Sequence, residues 1–341
     1  MIIIDGSEGE GGGQIVRNAC ALSLITGEPF KITNIRGKRA KPGLMRQHVT
    51  AIEAACVISD SECVGLGVGS TELEFRPGKI LPGDYHFAVG TAGSTSLVLQ
   101  TILIPLALAD GPSRLVLEGG THNMMAPPFD FIERSFLPII NRMGPRVSAR
   151  IVRHGFYPRG GGRIEVEIEP GPLRRIECLE RGELLGTSGQ AVFTGLPFEI
   201  ADRMLSRARK DLAAWPDDAF SVRELPADQG PGVILMLEER FANVTEVVRG
   251  FGKIGVKAER VAKKLGGRMN GYLEASAFAG PYLADQLILP FALARGGVFT
   301  TVKPSQHMLT AIEIARQFTG QSLLLEPLAD GGHLLSAGQG R

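Results

Sequence analysis

Apolar and polar positions along the chain fall into one pattern three times over: an apolar run of helical length, a glycine turn, a β-branched strand, a loop and an amphipathic helix. The first copy runs from Asn18 through Gly27, with a strand over 30–35 and a helix near 47–55. The second starts at Ser94, turns at Gly111, and continues as a strand over 114–117 and a helix over 129–143. The third has a helix over 283–294, a turn at Gly296-Gly297, a strand over 298–302 and a closing helix over 305–318. Two closing helices share wording: Gln47-His48-Val49-Thr50-Ala51-Ile52-Glu53 stands beside Gln306-His307-Met308-Leu309-Thr310-Ala311-Ile312-Glu313, with the histidines offset by one residue.

Repetition at this scale predicts stacked supersecondary units that share a core. The turn glycines at 27, 111 and 296 are unevenly spaced, which predicts an insertion before the third unit. Its expected bounds are 181–273, leaving 1–180 and 274–341 as the body. Inside it, strands are expected over 191–194 and 232–238, a charged helix over 199–213 and a last helix over 258–265, ending near Gly266-Gly267. The fold class expected is α/β, with helices packed on one face of each sheet.

Composition narrows the function without choosing it. Of 341 residues 44% are hydrophobic and 21% charged, the balance of a globular chain with room for real cores. A formal net charge of +1 means that any polyanion must be met by a local basic patch. Four cysteines without C-x-x-C spacing argue against a thiolate zinc site and suit a reducing cytoplasm. The N-terminus has neither the basic nor the apolar segment of a signal peptide. The most apolar stretch, 97–109, is too short to span a bilayer. No obligate protein partner is evident. One tryptophan and four tyrosines offer no aromatic platform of the usual RNA-binding kind.

Four segments carry candidate chemistry. Gly9-Glu10-Gly11-Gly12-Gly13-Gln14 lies between a strand over 2–5 and a helix. It fits a tight turn or an anion site, and Glu10 makes sense beside phosphates if a divalent cation lies between them. A Walker-type P-loop is missing, so any use of ATP is of another kind. The run 36–46 holds five cations and no acid, and fits either a solvated loop or phosphate contact, with Arg36 and Arg39 able to clamp oxygens in a fork. The stretch 154–164 places three glycines after Pro158, marking a turn or a close approach of chain or ligand. His307 starts a helix after Pro304 and Ser305; it is either structural or, held neutral by the helix N-terminus, a nucleophile. The charged helix of the insertion, with Arg203, Arg207, Arg209 and Lys210, is a candidate RNA contact.

These residues carry a resemblance. The stretch Asp5-Gly6-Ser7-Glu8-Gly9-Glu10-Gly11-Gly12-Gly13-Gln14, the 36–48 block, the 154–164 signature, the 282–286 segment and Ser305-Gln306-His307 together resemble the RNA 3′-terminal phosphate cyclases over essentially the whole chain. The resemblance implies three repeated units, each a four-stranded sheet with two helices, plus a small inserted α/β domain. It implies ATP as co-substrate, Mg²⁺ or Mn²⁺, and an RNA with a 3′-phosphate end as the partner, closed to a 2′,3′-cyclic phosphate. His307 would be the nucleophile that becomes linked to AMP, and Glu10 the metal-holding carboxylate. Gln100, Pro127, Tyr282, Leu283, Ala284, Asp285 and Gln286 match ATP-binding positions, with Pro127 and Tyr282 on the two faces of the adenine. Arg17, Arg36, Arg39, Gln47 and His48 match polar residues around the triphosphate and the RNA end. The alternative is a non-catalytic, cyclase-like protein of ribosome assembly, which would lack the nucleophilic histidine.

Overall fold

The computed structural model describes residues 1–338; the last three residues of the expected 274–341 stretch lie outside the described residues. Unit one is built from β1 (Ile2–Asp5), α1 (Gly13–Thr26), β2 (Phe30–Thr33), α2 (Arg46–Val57), β3 (Glu62–Val64) and β4 (Leu73–Arg76), with strand order β1-β2-β4-β3. β1 and β2 run parallel and the remaining neighbours antiparallel. Unit two repeats that topology. It contains β5 (Asp84–Ala88), α3 (Thr95–Ala107), β6 (Ser113–Gly119), α4 (Phe129–Phe131), a π turn over Ile132–Phe136, α5 (Leu137–Met143), β7 (Arg146–Arg153) and β8 (Gly162–Glu169), in the order β5-β6-β8-β7.

The third copy is interrupted. Its first strand, β9 (Glu177–Cys178), comes before a separate four-stranded sheet, and its remaining elements come after. That separate sheet contains β10 (Leu184–Thr194), α6 (Phe198–Asp211), β11 (Phe220–Glu224), β12 (Gly232–Phe241), β13 (Thr245–Phe251) and α7 (Ala258–Glu274). Its order, β11-β10-β12-β13, differs from that of the repeats. The chain then completes unit three with α8 (Pro281–Leu293), β14 (Gly297–Thr301), α9 (Gln306–Thr319), β15 (Ser322–Pro327) and β16 (His333–Gly338). β9 pairs parallel with β14, restoring the repeat order β9-β14-β16-β15.

Several boundaries differ from the sequence reading, among them that of β10, which starts at Leu184 and not at 191. Helix α1 starts at Gly13, five residues before Asn18, because the glycines that loosen the loop also open the helix. Helix α7 passes through Gly266-Gly267 and ends at Glu274. Gly266 is a packing position, since a Cβ there would come within 2.9 Å of the Asp211 Cβ at the end of α6.

The first helix of each unit is apolar almost all round and therefore buried. In α3 every residue is buried except Gln100, and in α8 the residues left out of the core include Tyr282 and Gln286. α1 packs against α3 and α9, and α8 packs against α9, so the few polar side chains of these helices meet at one place. β13 packs against the 129–136 segment and α7 packs on β13, which sets the separate sheet with α6 and α7, a fourth unit, over that same place. No helix among the described residues is long and apolar enough to cross a membrane.

Candidate active site

The N-terminal ends of α1, α8 and α9 converge on a cavity of about 720 Å³ whose opposite wall comes from the fourth unit. On the body side it is lined by Gln14, Arg17, Gln100, Pro127, Tyr282, Asp285, Gln286 and His307; Arg249, Lys253, Arg260, Lys264 and Arg268 stand on the other. Six cationic side chains thus face one carboxylate, Asp285. Among the described residues none of the six forms an ion pair with an acid. This basic concentration in a chain of net charge +1 is the local patch that a polyanion requires.

His307 is the second residue of α9 and its side chain is half exposed to the cavity. Its Nδ1 lies 2.7 Å from Oε1 of Gln14, an atom that can only accept, so Nδ1 carries the proton and Nε2 keeps its lone pair. Nε2 is 3.8 Å from Oε1 of Glu10. Burial, then Arg17 and Arg39, hold the ring below the usual histidine range, which favours the neutral form. Ser305 caps the helix by accepting the Met308 N–H at 3.0 Å and donates its hydroxyl to Asp285. Burial pushes Asp285 up to about 7 against the opposing effect of those bonds.

Glu10 is fixed on every side but one. Its N–H donates to Thr310 Oγ1 at 2.9 Å, and Oε1 forms an ion pair with Arg39. Arg39 also donates to the carbonyls of Glu10 and Gly11. Oε2 is buried without a partner among the described residues. A Cβ on Gly12 would strike that oxygen, and one on Gly13 would strike Nε2 of His48. The glycines are therefore required by the two side chains folded over them.

His48 sits on the far side of Gly13, buried, accepting the Met45 N–H at 3.1 Å through Nδ1. Burial, Arg17 and Arg36 drive it down to about 3, so it is neutral throughout the ordinary range. Gln47 accepts the Ser94 N–H at 3.3 Å. Arg36 donates to the carbonyls of Lys41 and Gly43, both at 2.8 Å, and braces its own loop. Arg17 is half-buried and lowered by desolvation to about 10, still a full cation.

Gln100 donates to Gln286 across the cavity floor. Tyr282 accepts from Arg268 at 3.0 Å and has the Arg249 guanidinium 5.1 Å from its ring centre, while Arg249 donates to the Ala126 carbonyl at 2.7 Å. The Leu283 and Ala284 side chains belong to the hydrophobic core and line no part of the cavity. Glu246 of β13 is fully buried and accepts the Gly280 N–H at 3.3 Å just before α8, tying the fourth unit to the helix that carries Tyr282 and Asp285.

The 154–164 signature lies elsewhere, at the joint between the body and the fourth unit. The N–H groups of His154 and Phe156 donate to Gln229, and Arg153 pairs with Asp228 at 2.7 Å. Phe156 packs with Val192, Leu225, Ile234 and Met236 of the fourth unit. A Cβ on Gly160 would come within 2.8 Å of Ala92 Cα, so the close approach marked by these glycines is one of chain on chain.

Sequence reading missed the basic wall. The insertion's cations were expected on α6, but there Arg203 pairs with Glu259 at 3.5 Å, Arg207 with Asp211 at 2.7 Å, Arg209 covers the Phe220 ring, and Lys210 is exposed away from the cavity. The cavity is faced by α7, and the available signal was the spacing of Arg260, Lys264 and Arg268, four residues apart on one helical face.

The model of the family described as RNA 3′-terminal phosphate cyclase matches residues 8–324. The chain is 50% identical over 319 residues to the RNA 3′-terminal phosphate cyclase of Koribacter versatilis (strain Ellin345), covering 93% of this chain and 90% of that one. It is 45% identical over 318 residues to the RNA 3′-terminal phosphate cyclase of Ectopseudomonas mendocina (strain ymp), covering 93% and 92%. The chain belongs to the RNA 3′-terminal phosphate cyclase family.

Proposed function

We propose that the protein uses ATP to convert an RNA 3′-phosphate end to a 2′,3′-cyclic phosphate through a covalent histidine–AMP intermediate. One observation carries the reading: His307 opens into a cation-lined cavity with its Nδ1 proton held by Gln14 and its Nε2 lone pair free, close to a carboxylate. Nε2 attacks the α-phosphorus of ATP; the N–P bond forms, the bond to the bridging oxygen breaks, and pyrophosphate leaves. A 3′-phosphate oxygen of the RNA then takes the AMP group, breaking the N–P bond and creating a phosphoanhydride. Finally the neighbouring 2′-hydroxyl attacks the RNA phosphorus, its proton is lost, and AMP departs. Anhydride formation is what makes the last step possible, because a phosphate dianion repels nucleophiles and has no good leaving group. The ribose holds the hydroxyl beside the phosphorus, which supplies the large intramolecular advantage.

The chain's own residues supply position and charge. Gln14 fixes the tautomer, Arg17 and Arg39 offer positive charge at the phosphates, and Asp285 holds Ser305 and through it the start of α9. Pro127 and Tyr282 are available to the adenine, with Gln100 and Gln286 on the cavity floor. The unpartnered Oε2 of Glu10 suits a divalent cation. Among the described residues no trio of protein ligands forms a cage, so Mg²⁺ or Mn²⁺ would be held by Glu10 with substrate phosphates and water. When bound it would neutralise charge on the phosphoryl oxygens. We take 181–273 as a domain inserted between β9 and α8, supported by its own sheet and by the repeat topology it interrupts. A cytoplasmic setting fits its four unpaired cysteines.

The test is label transfer from ATP carrying label at the α-phosphate. Label that stays on the denatured wild type, survives base, is lost in acid and is absent from His307→Ala supports the reading. A folded wild type that takes no label turns it over in favour of the non-catalytic relative.

A further inference from the structure

We propose that Lys253, Arg260 and Lys264 of the fourth unit form a track for the phosphodiester backbone of the RNA strand just upstream of its 3′ end. This rests on the cyclase reading and extends it to the part of the substrate that does not react.

The fourth unit treats its cations in two ways. On α6, Arg203 and Arg207 pair with Glu259 and Asp211 and Arg209 covers the Phe220 ring, and the remaining Lys210 lies away from the cavity. On the cavity side, Lys253, Arg260 and Lys264 are exposed and have no side-chain hydrogen bond or ion pair among the described residues. Arg260, Lys264 and Arg268 stand four residues apart on one face of α7, a like-charge spacing that weakens a helix on its own. Such a stripe is tolerated where an external polyanion supplies the missing charge. Its unengaged part, Arg260 and Lys264, extends about 6 Å along the helix, and Lys253 continues the row of charges beyond the helix start.

The shared ligand chemistry is a row of phosphate oxyanions, and ATP and RNA both have one. Three observations favour RNA. The triphosphate already has Arg17, Arg39 and Glu10 beside His307. Arg249 and Arg268 are engaged with Ala126 and Tyr282, at the adenine end. The cavity mouth also carries apolar tips next to its cations: exposed Met124 and Met125 on the body lip, and exposed Val256 near Lys253 on the other. A bare triphosphate gains nothing from exposed methionine and valine, whereas the bases of a single strand can rest on them while its backbone follows the charges.

The experiment compares the full-length wild type with Lys253→Gln/Arg260→Gln/Lys264→Gln in three measurements with Mg²⁺ and ATP. These are self-labelling from α-labelled ATP without RNA, KM for a twelve-nucleotide RNA 3′-phosphate across a salt series, and KM for a dinucleotide 3′-phosphate. The track predicts labelling within about twofold of wild type, a KM for the long RNA raised by about tenfold or more, and a salt slope reduced by about two. The dinucleotide KM stays within about twofold. Equal losses for both RNAs, or no change for either, overturn the track while leaving the cyclase reading intact. Loss of self-labelling with an unchanged melting curve also overturns it, by assigning the stripe to the triphosphate. A wild type without label overturns both readings. If the triple variant fails to fold, Lys264→Gln gives the same contrast at about threefold on the long RNA alone.

Discussion

Helices α2 and α9 open on nearly the same words and hold their histidines in opposite states. His48 is the third residue of α2; it is 4% exposed, accepts the Met45 N–H and lies against Gly13. His307 is the second residue of α9; its side chain is 50% exposed, and it is bonded to Gln14. One residue along a helix is a rotation of about 100°. That offset takes one imidazole into the packing around the glycine loop and brings the other to the cavity. The repeats provide equivalent scaffolds on either side of α1, and register within the helix decides which ring is a piece of the core and which is available for chemistry.

Removing the two rings is the largest test of that contrast. His307→Ala should cut self-labelling by at least about 10⁴-fold and leave the melting temperature nearly unchanged, since a half-exposed ring packs little. His48→Ala should cost about 2 kcal/mol of stability, because it opens a cavity and strands the Met45 N–H, while labelling falls less than about tenfold at a temperature where the protein is folded. A His48→Ala protein with a native melting curve and no label would break the comparison. The neighbouring glycines sharpen it. Gly12→Ala drives a methyl group into the unpartnered oxygen of Glu10 and should lower labelling by about 10²- to 10³-fold. Gly13→Ala drives one into His48 and should act on stability first. Similar losses of activity from both would mean that the loop moves as one body. Gln14→Ala releases the Nδ1 proton and should lower labelling by about 10- to 100-fold, the usual cost of losing the group that fixes an imidazole's tautomer.

What the sequence disclosed follows from what each signal physically is. The repeat was legible because buried helices such as α3 and α8 must be apolar for a whole helical length, and each is followed by a glycine turn and a β-branched strand. β9 was not, since two residues carry no periodicity; only its pairing with β14 makes it a strand. β5 was missed because its apolar face is only two half-buried rings, Tyr85 and Phe87, too short an alternation to stand out. His307 and Glu10 could be picked out as candidates because a histidine at a helix start and a carboxylate among glycines are locally odd. The pairing of Arg39 with Glu10 and of Asp285 with Ser305 joins residues distant along the chain, and one sequence does not contain it. The 154–164 stretch shows the opposite hazard. Its glycines announce a close approach, and nothing local distinguishes a ligand from a neighbouring strand.

A further test of the buried His48 ring lies in the pH dependence of stability. In the folded protein His48 is driven down to about 3 from an ordinary 6.5, so between those values the unfolded chain binds a proton that the folded one refuses. Its contribution therefore decreases stability as the pH falls from 6.5 toward 3. Asp285 works in the other direction. Burial lifts it from 3.8 to about 7, so the folded protein keeps a proton that the unfolded chain has lost, and stability decreases as the pH rises from 3.8 to 7. Between pH 4 and 6.5 the two oppose each other in the wild type. His48→Gln removes the first, so in denaturant titrations the stability of that variant relative to wild type should increase on acidification through this window. Asp285→Asn removes the second, so its stability relative to wild type should increase as the pH is raised above 4 and level off above 7. His307→Gln should keep most of the wild-type profile, because its ring is half exposed. If His48→Gln instead runs parallel to the wild type from pH 4 to 6.5, the His48 ring is not held neutral by burial. The contrast between a packed imidazole and a free one would then have to be rebuilt on hydrogen bonding alone.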